Sequence, residues 1–367
     1  MSANPPFRAD IVGSFLRSAA IRDARAEHES GELDSAALRL IEDTEIDTLV
    51  VKEEAAGLQV ATDGEFRRAW WHYDFLGALD GVELVELDHG IQFQGVQTRS
   101  QGLKIRGPIG FPSEHRMLDD FRYLHGVARV TPKMTIPSPS VLHFRLEKDA
   151  VDGSGYVERD DIFDDLARTY RDAVAAFYAA GCRYLQFDDT AWAYLCSEVE
   201  LAKAAERGIN TDRLAERYAS LINACLTDKP DDMVITTHVC RGNFRSTWIS
   251  SGGYEPVAEQ LLAVCNYDGY FLEYDSERAG TFDPLRFLPE GSKTVVLGLV
   301  TTKSGELEQK DAIIDRIGEA SRFVAIDQLA LSPQCGFAST EEGNMLTEDE
   351  QWSKVREVVE IASEVWS

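Results

Sequence analysis

A chain of 367 residues with 63 acidic against 37 basic side chains, a formal net charge of −26, repels phosphate backbones, which argues against a nucleic-acid partner. A hydrophobic content of 44% excludes a disordered chain and is enough for a large core. No run approaches the length of a membrane span, and the first residues, MSANPPFRADIVGSF, lack the apolar stretch of a signal peptide, so a cytoplasmic location and no membrane partner are expected. In a reduced compartment the six cysteines (Cys182, Cys196, Cys225, Cys240, Cys265, Cys335) are not a disulfide framework.

Eight short apolar runs end in polar residues: 9–15 (ADIVGSF), 58–66 (LQVATDGEF), 130–140 (VTPKMTIPSPS), 184–190 (YLQFDDT), 233–243 (MVITTHVCRGN), 270–280 (YFLEYDSERAG), 294–304 (TVVLGLVTTKS) and 329–337 (LALSPQCGF). Helical spacing follows several of them. One segment runs from Ser35 to Gly57, one ends at Gly181, and one starts at Thr211 as N-cap. EPVAEQLLAVC, ELEQKDAIIDRIGEASRFV and TEDEQWSKVREVVEIASEVW complete the set. Eight strands alternating with helices predict a single (β/α)₈ barrel of the TIM type over 1–367. Residues 80–108 break the pattern and read as a β-hairpin insertion after the second unit. The third unit shows no obvious long helix before Val130.

Catalytic residues of such barrels sit at the carboxyl ends of the strands. Here those ends carry Ser14, Asp63 with Glu65, Asp188 with Asp189, His238 with Cys240, Glu273, Lys303 and Cys335. His238 and Cys240 are two apart, so on an extended chain they face one side. With Glu273 and Cys335 they offer one nitrogen, two sulfurs and one oxygen, a set that suits tetrahedral zinc. Each also has a plain structural use: a hydrogen-bonded histidine, buried thiols, and an ion pair of Glu273 with Arg278. Zinc held by two thiolates is better suited to binding a third, from a substrate, than to activating water. The inferred chemistry is alkyl transfer to a thiol.

The motifs HVC, LEYDSERAG and SPQCG resemble the C-terminal zinc barrel of cobalamin-independent methionine synthase, and more closely its short single-barrel relatives. The resemblance implies Zn²⁺ on His238, Cys240, Glu273 and Cys335. It implies homocysteine binding by Val12, Gly13 and Ser14, by Glu65 of the G-E dipeptide, and by Asp188 of the Q-x-D segment. It also shows departures. The tryptophan that stacks on folate falls at Pro139, a folate-contacting glutamate at Tyr194, and the proton-donating histidine at Lys303.

The resemblance thus implies a zinc-dependent methyltransferase that makes methionine from homocysteine, with an altered donor side to which Lys303, Asp189, Tyr194 and Trp192 are assigned. Two alternatives stand beside it: zinc-dependent joining of another thiol to an epoxide or other electrophile, and a scaffolding barrel with structural zinc. The expected partners are a small-molecule thiol and a methyl donor, free or delivered by a protein; a homo-oligomer is compatible with the chain. Arg67-Arg68 and Trp70-Trp71-His72-Tyr73 read equally as a wall that binds a substrate carboxylate and as a helix start packed on the barrel. Arg241 and Asn243 flank the ligands. His28, His89, His115, His125 and His143 have no partner pattern.

Overall fold

The computed structural model describes residues 4–367; the first three residues of the expected 1–367 unit lie outside the described residues. Nine strands frame the site: β1 (Val60–Ala61), β2 (Asp80–Glu86), β3 (Gln101–Gly110), β4 (Thr131–Pro137), β5 (Tyr184–Asp189), β6 (Val234–Val239), β7 (Gly269–Glu273), β8 (Thr294–Val300) and β9 (Leu329–Pro333). All except β2 and β3 form one parallel sheet, in the order β1-β4-β5-β6-β7-β8-β9. β5, β7 and β9 are buried at every position. Helices cover one face and the core fills the other, which is why these strands read as continuous apolar runs rather than alternating ones. The result is a mixed α/β fold whose parallel sheet curls in the manner of a TIM-like barrel. Among the described residues no helix is long and apolar enough to cross a membrane.

Run 9–15 is not a ladder strand. Ala9 makes a single parallel bridge to Leu331, with the Asp10 amide donating to the Leu331 carbonyl at 3.0 Å. On its other side the Phe15 amide donates to the Gly64 carbonyl at 3.1 Å and the Thr62 hydroxyl to the Gly13 carbonyl at 2.6 Å. The segment therefore lies between β9 and β1, the two edges of the sheet. Its pairing is broken because Asp10 turns its carboxylate back on the Phe7 and Ile11 amides, and Gly13 takes a φ of 153°. A Cβ at Gly13 would sit 2.8 Å from the Thr135 methyl, so glycine is needed there.

Helix boundaries differ from the sequence pattern at three places. A 12-residue helix, Arg116–Val127, precedes β4, capped by the His115 ring, which accepts from the Met117 amide. The helix expected from Thr211 begins at Leu214. Its N-cap is Arg213 in the left-handed region (φ 48°), so Thr211 lies outside it. EPVAEQLLAVC contributes only the π-helical turn Glu259–Val264. Between β1 and the Arg116–Val127 helix, β2 and β3 pair antiparallel, and Gln92–Phe93 pairs with Val96–Gln97. Phe93 packs on Phe244, which in turn meets Trp70, so this excursion folds back over the carboxyl ends of the strands.

Candidate metal centre and substrate cavity

Strand register sets the site. Asp188 on β5 lies beside His238 on β6, and Glu273 on β7 beside Gly298 on β8. Cys240 follows β6 by one residue and Cys335 follows β9 by two. Their sulfurs are 3.4 Å apart although 95 residues separate them. The donor atoms of His238, Cys240 and Cys335 all lie within 4.8 Å of one another, and all three residues are buried.

The trio fits a soft metal ion. Two Zn–S bonds of about 2.3 Å at a tetrahedral angle would hold sulfurs about 3.8 Å apart, close to the spacing found. Neither ring nitrogen of His238 has a hydrogen-bond partner, an expensive arrangement for a buried imidazole unless something else binds it. The two sulfurs share their proton unequally. Hydrogen bonding from Cys240, aided by the nearby His238, holds Cys335 well below the ordinary thiol range, and the same contact together with burial raises Cys240. One thiolate is thus favoured before any cation arrives. The Gly242 amide also points at the Cys240 sulfur, at 3.3 Å.

Glu273 lies outside this trio. One oxygen accepts the Arg241 amide at 3.0 Å; the other faces Arg278 at 3.3 Å and Lys303 at 3.5 Å. Lys303 also lies 3.5 Å from Asp275. Burial works against its charge, but Glu273 and Asp275 more than offset this, so the ammonium is raised and stays protonated. It belongs to the Glu273 ion-pair group and not to the cavity wall.

Above the trio opens a cavity bordered by Val12, Ser14, Glu65, Asp188, Asp189 and Tyr194 among others. Glu65 is held in the left-handed region (φ 59°), a strained backbone for a non-glycine residue. One oxygen accepts from the Thr135 hydroxyl at 3.1 Å, while the other is buried without a hydrogen bond and faces the Arg68 guanidinium at 3.6 Å. Burial raises its pKa against the pull of Arg68. Burial likewise raises Asp188 to about 7, with His238 opposing and Glu65 adding to the shift. Two carboxylates that repel one another in a dry wall are poised to receive a cationic group. Ser14 accepts from the Ala338 amide and packs so tightly that a Cβ on Gly336 would lie 1.9 Å from its oxygen.

The other sequence candidates divide between the cavity border and the core. Asp189 is tied down by the Ser140 hydroxyl and the Ala191 amide. Trp192 does not border the cavity; it is fully buried against Tyr218. Arg67 turns outward to Asp43 and Asp120 and lies over Tyr123, and Arg68 pairs with Glu65, so neither reaches into the cavity as a free cation. Trp70 and Trp71 do form wall. His72 is wholly buried, and burial, then Arg145, keeps it neutral. Asn243 donates to the Gly336 carbonyl at 2.7 Å and accepts from Asn344, bracing the loop of Cys335. His143 bridges Tyr218 and Asp160, and His115 caps a helix, both structural. The residue that the motifs missed is Arg145. It borders the cavity and donates to the Tyr194 hydroxyl at 2.7 Å, but sits in the unremarkable stretch VLHFR one turn beyond a strand end.

Comparison with known proteins gives one consistent answer. The family model described as "cobalamin-independent synthase, catalytic domain" matches residues 7–364. The uncharacterised protein YxjG of Bacillus subtilis is 53% identical over 99% of this chain and 95% of its own length. Among solved structures, a Listeria monocytogenes protein provisionally assigned as a vitamin-B12-independent methionine synthase is 44% identical, with a TM-score of 0.77 and coverage of 99% and 98%. A B12-independent methionine synthase from Shewanella sp. W3-18-1, in complex with selenomethionine, shares the fold at 17% identity, with a TM-score of 0.70 and coverage of 91% and 90%.

Proposed function

Because the chain belongs to the cobalamin-independent methionine synthase family, we propose that it is a zinc-dependent S-methyltransferase that converts homocysteine to methionine on a barrel completed by residues 9–15. The reading is carried by the buried trio of His238, Cys240 and Cys335, with donor atoms within 4.8 Å and an imidazole that has no other partner. Glu273 is the proposed fourth donor; its carboxylate would give up contacts with Arg278 and Lys303 to reach the ion. Zinc bound there would keep an acceptor sulfur deprotonated at neutral pH yet nucleophilic towards a methyl carbon.

The chain's own groups supply the rest. Glu65 and Asp188 hold the acceptor's ammonium, which in turn favours their ionised forms. Val12, Gly13 and Ser14 border the acceptor beside these carboxylates: a Cβ on Gly13 would lie 3.4 Å from a Glu65 oxygen, and the Gln186 amide donates to both the Val12 carbonyl and Asp188. Lys303 balances the charge of the ligand group and does not act as proton donor, since its ammonium is stabilised by two carboxylates. Trp70, Trp71, Phe93 and Tyr194 form an aromatic mouth that keeps water from the reacting sulfur.

Methionine formation tests this directly. Zinc-loaded protein is offered homocysteine with methyltetrahydrofolate, its polyglutamates and methylated corrinoids in parallel. Methionine from at least one donor is expected, and none from any would sink the reading. The aromatic mouth, with Tyr194 at a position where the family resemblance puts a folate-contacting glutamate, favours a second reading in which another thiol is joined to an epoxide or alkyl halide. Thermal stabilisation by a thiol without an amino group, and not by homocysteine, would select it.

A further inference from the structure

Behind the aromatic mouth lies a second, outer cavity, which shares Arg145, Tyr194 and Ile249 with the first. Those residues form a neck. Arg145 is held in it by the Tyr194 hydroxyl and stacks on the Tyr194 ring at 5.1 Å. Its Nε is buried without a partner, and among the described residues no carboxylate comes within ion-pair distance of its guanidinium. In a chain of net charge −26 an uncompensated arginine inside a cavity is unusual. Among the outer cavity's other cations, Lys203 bonds to Glu200 at 2.7 Å, and Arg207 donates to the Phe144 carbonyl at 3.1 Å and is drawn to Glu147 and Glu200. A planar guanidinium fixed by stacking and one hydrogen bond is suited to a planar oxyanion, which it can bind through two parallel N–H groups. The opposite end of the inner cavity is acidic, at Glu65 and Asp188, so a ligand anion is repelled there and attracted at the neck.

We infer that Arg145 receives a carboxylate of the electrophilic co-substrate, whose body occupies the outer cavity while its reactive carbon points through the neck towards the metal trio. The alkyl donor is then an acidic small molecule. This rests on the proposed alkyl transfer to a thiol. It adds a specificity residue on the donor side, where the wall that the sequence pattern attributes to Arg67 and Arg68 has no free cation.

The test uses glutarate as the anionic probe and its neutral diamide as the control, titrated calorimetrically into the zinc-loaded full-length protein with and without saturating homocysteine. Glutarate is expected to bind, the diamide not, and homocysteine not to compete. Arg145→Gln should weaken glutarate by about tenfold or more, with partial recovery in Arg145→Lys. Equal binding of probe and diamide, equal affinity in Arg145→Gln, or competition with homocysteine would overturn the proposal. The comparison of probe and diamide in the unaltered protein stands even if the variants fold poorly. Zinc content and homocysteine affinity, read in the same samples, report separately on the proposed function: their loss with glutarate binding intact would sink the methyltransferase reading and leave the anion site standing.

Discussion

Two buried polar clusters occupy this sheet, one near each end of the strands, and they are finished to different degrees. Near the amino end, Asp10 accepts from the Phe7 and Ile11 amides, the Tyr184 hydroxyl and the Lys133 ammonium, and Lys133 donates also to the Ile11 carbonyl. Lys133 lies 4.0 Å from the Phe271 ring centre, with its charge fully enclosed. At the carboxyl end both nitrogens of His238, one oxygen of Glu65 and the Gln186 carbonyl oxygen are buried without a hydrogen bond, Arg68 facing that Glu65 oxygen only at ion-pair distance. A satisfied buried cluster fixes a segment in place, here the one that leads into Val12–Ser14. An unsatisfied one is stable only because the surrounding fold holds it, and it is the place for a ligand.

The comparison can be broken most severely at the unfinished end. Cys335→Ser should bring zinc content, measured by plasma mass spectrometry, close to zero and abolish methyl transfer, while the urea midpoint of the metal-free protein barely moves. Full zinc occupancy in that variant would refute the ligand set. At the finished end, Lys133→Met should leave Asp10 buried without its counter-charge, costing about 3–5 kcal/mol in urea unfolding; a loss below about 1 kcal/mol would mean that the cluster is not a structural anchor.

Glu65→Gln should raise the KM for homocysteine by roughly 10- to 100-fold, as expected on losing a charge-assisted bond, with zinc content unchanged. A smaller effect is expected from pH. Burial raises the Asp188 pKa to about 7, so below that value the group is neutral and its pull on an ammonium is gone. The Kd of methionine, which has the ammonium but no thiol proton, should fall by about tenfold at most between pH 6 and 8; a Kd that rises over that interval contradicts the assignment. Smallest of all, Trp192→Phe should change KM by less than about twofold, since Trp192 is core, while lowering stability by about 1–3 kcal/mol.

Much of this was readable in the chain because strand ends impose local rules. Residues two apart share a side, so His238 and Cys240 were legible as a pair, and the polar endings of the runs marked the rim that carries Glu65, Asp188 and Cys335. Where local rules compete, the reading failed. Thr211 has the right chemistry for a cap, but the chain enters the helix through Arg213 at a positive φ. Trp192 follows a strand end like its neighbour Tyr194, yet packs inward on Tyr218. The Arg116–Val127 helix was hidden because its start is capped by a histidine ring, outside the usual serine, threonine, aspartate or asparagine.

What the amino-acid order determined by itself is the alternation of buried runs and helices and the kinds of donor atom at their ends, since both follow from periodicity and side-chain chemistry. Which donors meet was decided by tertiary structure. Strand register and sheet curl brought Cys335 to 3.4 Å from Cys240 and left Glu273 among cations. The same packing put Arg145 in the neck, where among the described residues no carboxylate comes within ion-pair distance, because distances across a sheet depend on how strands far apart in the chain align, which no local pattern records.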